Sequence, residues 1–295
     1  MRVTNKLMAD TVANNLFKNT EHLLKIQNMI SSGKRISKPS DDPIGMGKVL
    51  DYRKTISSID QYNRNIARGR SWLDITDSTL GSVDNLLMRA KEIAVSQATG
   101  TANKQTREIA AKEMKNIYEQ MLQLANTKLG SSYIFAGHKT DTAPFSRDDD
   151  YNASYNGDKG DIRIIVGEDT SISINANGED IFFSKVSVFD VLRDLKDGLQ
   201  NNDPSAISNQ IELLNDALGQ VLKVRAEVGA KLNRLEITET YWANFKLNIT
   251  EMLSQTEDAD LTKAITDLTT QEAVYQTSLA ISARVIQPSL MNFLR

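Results

Sequence analysis

The most constraining feature of this sequence is an apolar stripe that continues without a slip from about Pro43 to Thr99. Its residues recur at alternating steps of three and four, which is the spacing of one face of an α-helix. One helix over this segment is roughly 85 Å long, whereas a compact domain of this chain length has a radius of gyration of only about 19 Å. The sequence therefore predicts a rod. The stripe consists of Ile59, Tyr62, Ile66, Gly69, Leu73, Thr76, Leu80, Val83, Leu87, Ala90 and Ala94.

A second stripe of the same kind follows Asp203-Pro204 and predicts another long helix, of roughly 75 Å. Both long helices are preceded by an Asp–Pro pair, Asp42-Pro43 and Asp203-Pro204. Aspartate is a favoured N-terminal cap, and proline is favoured at the first helical position. Shorter helices are predicted over about 5–32 and 103–127, from about 186, and over 261–295.

Between the helical segments, the spacing of the apolar residues changes, and they recur at every second position. Turn-forming residues, Asn156-Gly157-Asp158 and Asn177-Gly178, interrupt this region, as is typical of short strands. We therefore expect a small β-rich unit over 131–184. The alternating apolar residues that predict its strands are Ile162, Ile164, Val166, Ile172 and Ile174.

The order of these elements is near-palindromic, because helices lead up to the β-rich unit and helices return from it. The simplest fold is mainly α: an elongated hairpin rod of long coiled-coil-like helices with a small inserted β-rich domain. Both termini are then at one end. The predicted divisions are an N-terminal helix with its linker, an ascending helical arm, the β-rich domain, a descending helical arm and a C-terminal helix, at 1–42, 43–130, 131–184, 185–256 and 257–295.

The first and last helices carry matching apolar seams. A long helix with one apolar stripe is not stable alone in water and must pack that stripe on a partner. We expect the two terminal helices to be partners and their seams to be assembly contacts. Phe17 and Leu24 start a second stripe, which indicates more than one neighbour. The seam residues are Val12, Leu16, Leu23, Ile26 and Ile30 in the first helix, and Leu261, Ile265, Leu268, Tyr275, Leu279 and Ile286 in the last.

Two positions of the last seam, Glu272 and Ser282, are polar. Polar seam positions weaken a helix pair but can fix its register. Beyond Pro288, three apolar residues at helical spacing form a separate apolar foot, which we also expect to contact partners. They are Leu290, Phe293 and Leu294.

Residue chemistry argues against an enzyme. The chain has no cysteine and two histidines, His22 and His138, so we expect no metal site, because zinc sites draw on these residues. We find no catalytic motif and expect no cofactor. Asp148-Asp149-Asp150 lacks the glycine and glutamate of a calcium loop and is predicted to be a solvated turn. The net charge of −3 makes nucleic acid an unexpected partner, and no segment approaches the ~20 apolar residues of a membrane span.

Five stretches resemble the flagellin superfamily of bacterial flagellar axial proteins, and together they cover both helical arms. The resemblance implies the D0 and D1 helical domains of flagellins, with terminal helices that order on assembly and a β-rich unit that faces outward. The stretches are SGKRISKPSDDPIG (32–45), QLANTKLGSSYIFAGHKTDTAPF (123–145), YNGDKGD (155–161), VRAEVGAKLNRLE (224–236) and DADLTKAITDLTTQEAVYQTSLAIS (258–282).

Within this superfamily, YIFAG followed by TAPF is typical of the members that join the hook to the filament. The resemblance therefore implies a structural adaptor at the hook–filament junction. The ending PSLMNFLR is flagellin-like, which keeps a short filament-forming flagellin as the alternative. The helical seams alone also permit a cytosolic coiled-coil scaffold or signalling protein.

The resemblance also implies where the protein acts and with what. Its partners would be hook-associated protein 1, flagellin and copies of itself in a helical assembly, after an export chaperone has released it. It would leave the cell by the flagellar type III apparatus, without a cleaved signal peptide, and reside extracellularly in the flagellum.

Overall fold

The computed structural model describes residues 2–99 and 102–286. Within these ranges the chain is mainly α-helical, with long helices and one small strand-containing region, so the predicted fold class is confirmed. The helices are α1 (Arg2–Ser32), α2 (Pro43–Gln97), α3 (Lys104–Ala125), α4 (Gly178–Phe182), α5 (Val188–Gln200), α6 (Pro204–Glu257) and α7 (Leu261–Ile286). The strands are β1 (Lys128–Leu129), β2 (Ser132–Tyr133), β3 (Phe145–Arg147), β4 (Ala153–Tyr155), β5 (Arg163–Ile165) and β6 (Ser171–Ser173).

The two long helices begin at the predicted Asp–Pro pairs. The Asp42 carboxylate accepts a hydrogen bond from the backbone N–H of Gly45 at 2.9 Å, at the start of α2. The Asp203 carboxylate accepts from Ser205 and Ala206 at 2.9 and 3.1 Å, at the start of α6. Each carboxylate satisfies N–H groups that have no partner inside the helix. Both predicted caps are thus confirmed.

The contacts divide the chain into two compact units. The terminal unit holds the described parts of Met1–Ser58 and Asn244–Arg295, and the central unit holds those of Ile59–Ala243. Because α2 and α6 each cross a boundary between these ranges, both units contain segments of both long helices.

The core of the central unit is built on the apolar stripe of α2. Every member of that stripe of α2 is buried except Tyr62, which is half-buried. The matching stripe of α6 contributes Ile207, Leu214, Val221 and Leu235 to the same hydrophobic cluster. The prediction that one continuous face of each long helix is buried is therefore confirmed for the central unit.

The strands form three separate antiparallel hairpins, β1–β2, β3–β4 and β5–β6. They share one hydrophobic core with the helices, since Phe145 of β3 lies 5.0 Å from Phe182 of α4 and 5.6 Å from Phe189 of α5, ring centroid to centroid. Hairpins of two or three residues cannot bury enough apolar surface alone. Packing on the helices therefore stabilises them.

One predicted turn is wrong. Asn177-Gly178 begins the short helix α4, in which the Asn177 side chain accepts from the backbone N–H of Glu179 at 3.2 Å. Asparagine and glycine favour both hairpin turns and helix caps, so the dipeptide alone does not distinguish them. A tertiary contact favours the helix cap over the hairpin turn, because Gly178 donates its N–H to the carbonyl of Phe135.

Candidate functional site: the terminal helix pair

Helices α1 and α7 pack against each other in the terminal unit. All five seam residues predicted on α1 lie on its half-buried face: Val12, Leu16, Leu23, Ile26 and Ile30. The predicted partnership of the first and last helices is thus present within one chain. The role of these residues as assembly contacts stays a prediction.

Polar contacts fix the register of this helix pair. The Asn19 side-chain amide donates to the Ser278 hydroxyl at 3.2 Å. The Gln271 amide donates to the Asn19 backbone carbonyl at 3.4 Å. A shift of α7 by one helical turn breaks both bonds, so Asn19 acts as the register position of α1.

The face that α7 turns inward differs from the predicted seam. Leu268 and Tyr275 belong to both faces and are half-buried, but Leu261, Ile265 and Leu279 are 48%, 53% and 44% exposed. Helix α1 therefore leaves these three largely exposed, and their role as seam residues stays a prediction. The inward face also keeps the three-four spacing and consists of Ala264, Leu268, Gln271, Tyr275, Ser278 and Ser282.

The physical reason is that small residues let two helix backbones approach closely. Ala264 and Ser282 are buried, and the Ser282 hydroxyl donates to the Ser278 carbonyl at 2.6 Å within its own helix. Of the two predicted polar seam positions, Ser282 faces inward, while Glu272 is exposed. Helix α7 therefore carries two overlapping stripes, and α1 covers only one of them.

Large apolar side chains remain exposed on both helices of this pair. Phe17 is 75% exposed, the highest value among the large apolar side chains that the structure describes on α1 and α7. Single exposed apolar residues are common, but here they occur on both packed helices and on both flanks of α7, so each flank is a candidate contact for a neighbour. The exposed residues are Leu7, Met8, Phe17, Leu24, Leu261, Ile265, Val274, Leu279 and Ile281, and we call this set the uncovered terminal surface.

The remaining predicted seam positions are at the C-terminus. Ile286 is the last residue of α7, and its side chain is not described. The apolar foot of Leu290, Phe293 and Leu294 lies outside the described residues.

A network of hydrogen bonds joins the turn after α1 to the end of α6. Gly33 has the positive φ of a helix-terminating glycine, 69°. The backbone N–H groups of Arg35 and Ile36 then donate to the Glu257 carbonyl at 2.7 and 3.3 Å. In return, Ala259 donates to the Gly33 carbonyl at 2.9 Å. These bonds connect the turn before α2 to the turn before α7.

The Glu257 side chain completes this junction. It is among the buried charged residues, and its carboxylate forms ion pairs with Lys34 Nζ at 2.6 Å and with an Arg53 guanidinium nitrogen at 2.5 Å. Sequence reasoning missed Glu257 and its partners. Lys34, Arg53 and Glu257 are distant in sequence but form one cluster of ion pairs. No local residue spacing predicts such a cluster.

Asp41 holds the same turn from the other side. Its carboxylate accepts hydrogen bonds from Ser37 and from the backbone N–H of Lys38. Burial alone would raise the pKa of this carboxyl, but the bonds from Ser37 and Lys38 outweigh it and hold the pKa below its usual value. The turn 33–42 is therefore a structured connection that positions α1 relative to α2 within the terminal unit.

The described residues also bear on metal binding and membrane insertion. Among them, no group of three histidine, aspartate or glutamate side chains could hold a metal ion. In the same ranges, no helix combines the length and the apolar character needed to cross a membrane. The packing of α1 on α7 and the exposed apolar side chains of both helices make the terminal helix pair, with its uncovered terminal surface, the candidate functional site.

Comparisons with known proteins identify the family. The bacterial flagellin N-terminal helical region matches residues 3–140, and the bacterial flagellin C-terminal helical region matches residues 211–294. Flagellar hook-associated protein 3 of Escherichia coli is 27% identical over 94% of this chain and 95% of its own. The flagellar filament 41 kDa core protein of Borreliella burgdorferi is 24% identical over 91% of this chain and 92% of its own.

A solved structure supports the same assignment at the level of fold. A Vibrio parahaemolyticus protein, described as flagellar hook-associated, superposes with a TM-score of 0.69 at 22% identity, over 74% of this chain and 100% of its own. The two family matches together include α1, α2, α3 and α7 and most of α6. The chain belongs to the bacterial flagellin superfamily of structural flagellar proteins.

Proposed function

We propose that this chain is a structural adaptor at the hook–filament junction of the bacterial flagellum. The observation that carries the proposal is the uncovered terminal surface on a helix pair of flagellin type. The full-length similarity to hook-associated protein 3 supports the junction in particular. The similarity to filament core proteins is slightly lower in identity, so a short flagellin is the weaker candidate.

The partners follow from this location. Hook-associated protein 1 is the neighbour on the hook side, flagellin is the neighbour on the filament side, and copies of this chain are the lateral neighbours. An export chaperone holds the chain before its secretion through the flagellar type III apparatus, without a cleaved signal peptide. The assembled protein is extracellular.

The mechanism is burial of apolar surface on association. Complete burial of one Leu, Ile or Phe side chain stabilises by about 1.5–3 kcal/mol relative to full exposure. Because the side chains of the uncovered terminal surface are about half exposed, each contributes on the order of 1 kcal/mol when a neighbour covers it. Association itself costs an estimated 4–15 kcal/mol. One pairwise contact is therefore weak, and several simultaneous neighbours make a stable layer.

Seeded assembly tests the proposal. Purified protein is added to hooks that end in hook-associated protein 1, and the growing end is measured by electron microscopy. We expect one short layer, onto which flagellin then polymerises. Long filaments of this chain alone would establish the flagellin alternative, and no binding to the hooks would contradict both.

A matched pair of variants tests the contribution of the uncovered terminal surface to assembly. Phe17→Ser removes an exposed apolar side chain from α1, whereas Ile109→Ser removes one of similar exposure from α3 of the central unit. We expect Phe17→Ser to reduce layer formation at least tenfold and Ile109→Ser to leave it unchanged. Equal effects would show that general surface polarity, and not the terminal helix pair, determines assembly.

A further inference from the structure

A basic cleft lies in the central unit between hairpin β5–β6 and helix α6. Its volume is about 280 Å³, and no carboxylate is among its lining residues. Three cations and two hydroxyl groups surround it, which is a donor set suited to an oxyanion such as a carboxylate. The polar lining residues are Arg163, Ser171, Ser173, Lys231 and Arg234.

The hairpin is held rigidly against both long helices. The Trp242 indole of α6 donates to the Val166 carbonyl at 2.7 Å, and the Asn65 amide of α2 donates to the Ile165 carbonyl at 2.8 Å. Gly69 of α2 permits the close approach, since a Cβ there would lie 2.5 Å from the Ile164 side chain. The cleft is therefore preformed, which lowers the entropic cost of binding.

The cations of the cleft retain unused hydrogen-bond donors. In the part of the chain that the structure describes, the Arg234 guanidinium has no hydrogen-bond or ion-pair partner. Arg163 uses only its Nε, which donates to the Ser171 hydroxyl at 3.1 Å. Two guanidinium groups with free donors can bind carboxylates in the bidentate geometry that makes such pairs strong.

Lys231 is the innermost cation of the cleft. Its Nζ donates to the Asn175 carbonyl at 3.0 Å, and Asn175 is itself buried. Asp161 and Glu227 attract this ammonium group from a neighbouring cavity that they also line. Lys231 is therefore largely satisfied by the chain itself, and the two arginines are the groups available to a partner.

Exposed apolar residues flank the cleft. Ile165 lies on the outer face of the hairpin, and Ile237 and Tyr241 follow Arg234 by three and seven residues on α6, which places them on one helix face. Arginine and tyrosine beside aliphatic residues are typical of protein–protein interfaces. The surroundings therefore favour a protein carboxylate over a free ion.

The chain itself carries a matching acidic element. Asp148, Asp149 and Asp150 form the turn between β3 and β4, and Tyr151 stands after them at a positive φ of 64°. The Asp148 carboxylate is occupied by the backbone and side-chain N–H groups of Asn152, both at 2.8 Å. Asp149 and Asp150 are exposed, and neither has an ion-pair partner in the described ranges.

We propose that the basic cleft of one copy binds the acidic turn 148–150 of a second copy. The cleft and the turn are different surfaces of the same unit, so the contact is heterologous and repeats from copy to copy, as a ring or helical layer requires. This inference rests on the proposed function for the setting in which copies meet. It adds the pair of surfaces by which they bind laterally.

Cysteine cross-linking tests the contact, because the natural chain has no cysteine. One protein carries Ser173→Cys, a second of different size carries Asp149→Cys, and the two are mixed under oxidising conditions. We expect a disulfide-linked pair that contains one copy of each. Asp141→Cys, in another exposed loop of the central unit, serves as the control and should cross-link at least tenfold less.

Charge reversal tests the same contact independently. Arg234→Glu in the Ser173→Cys protein should reduce the cross-link at least tenfold, and Asp149→Cys with Asp150→Lys in the second protein should restore it. Cross-linking is measured both in concentrated solution and on layers seeded by hooks. Layers that form without the cross-link overturn this inference alone, whereas failure of the unmodified chain to form layers overturns the proposed function. No cross-link in either setting, or equal linking by the Asp141→Cys control, overturns the contact.

Discussion

Glu257→Gln tests the junction that positions the terminal helices. The Glu257 carboxylate is 5% exposed and pairs with Lys34 and Arg53. Each charge-assisted hydrogen bond contributes about 1.5–3 kcal/mol, but Lys34 and Arg53 are 39% and 48% exposed, so water recovers much of that loss. Glutamine keeps the volume and one acceptor oxygen. We therefore expect a local destabilisation of about 1–3 kcal/mol.

Amide hydrogen exchange measures this effect where it occurs. The N–H groups of Arg35, Ile36 and Ala259 make the backbone bonds of the junction. Since 1.4 kcal/mol corresponds to tenfold in an equilibrium constant, their exchange should accelerate about 5- to 150-fold. Glu251→Gln is the matched control, because Glu251 is exposed on the same helix. Unchanged exchange at these amides, or equal acceleration in the control, would show that the Glu257 carboxylate does not stabilise this junction.

Three further predictions concern the central unit. Arg107 is buried and donates to the carbonyls of Gln97 and Thr99 and to the Asn202 side chain. Arg107→Ala should therefore lower the free energy of unfolding, measured in urea, by about 2–3 kcal/mol. A loss under about 0.5 kcal/mol would contradict this role. Trp242→Phe removes the donor to the hairpin and should cost about 1–2 kcal/mol, with faster amide exchange in β5–β6 and unchanged exchange in β3–β4. Burial raises the pKa of Tyr118 and of Tyr155 from 10.0 to about 12. The unfolded state therefore loses these protons first, and stability present below pH 10 is lost as pH rises towards 12. The double change to phenylalanine should flatten that loss in urea titrations between pH 9 and 12, and an unchanged slope would contradict it.

The sequence predicts the long helices well because their burial follows a local rule. A stripe such as Ile66, Leu73 and Leu80 repeats at the helical period, and each member is buried in the central unit. Helix starts are equally local, since Asp42 and Asp203 bond to N–H groups only two or three residues away. Periodicity and caps therefore suffice for these elements.

The candidate site is less predictable because it depends on contacts between distant residues. Helix α7 offers two stripes of equal spacing, and the choice between them depends on how closely Ala264 and Ser282 let α1 approach. Glu257 forms an ion pair with Lys34, although the two residues are far apart in the sequence. The basic cleft joins Arg163 to Arg234 only after the hairpin has packed. None of these contacts follows a regular spacing along the chain that could be recognised in a single sequence.

Localisation in intact flagella distinguishes a junction adaptor from a filament protein. The chain is replaced in its own bacterium by a version with a small epitope inserted at the exposed loop near Asp141 or, in a second strain, near Glu168, and gold-labelled antibody is viewed by electron microscopy. We expect label confined to one short zone between hook and filament in at least one strain, with filaments absent when the chain is deleted. Label along the whole filament, or normal filaments on cells without the chain, would contradict it.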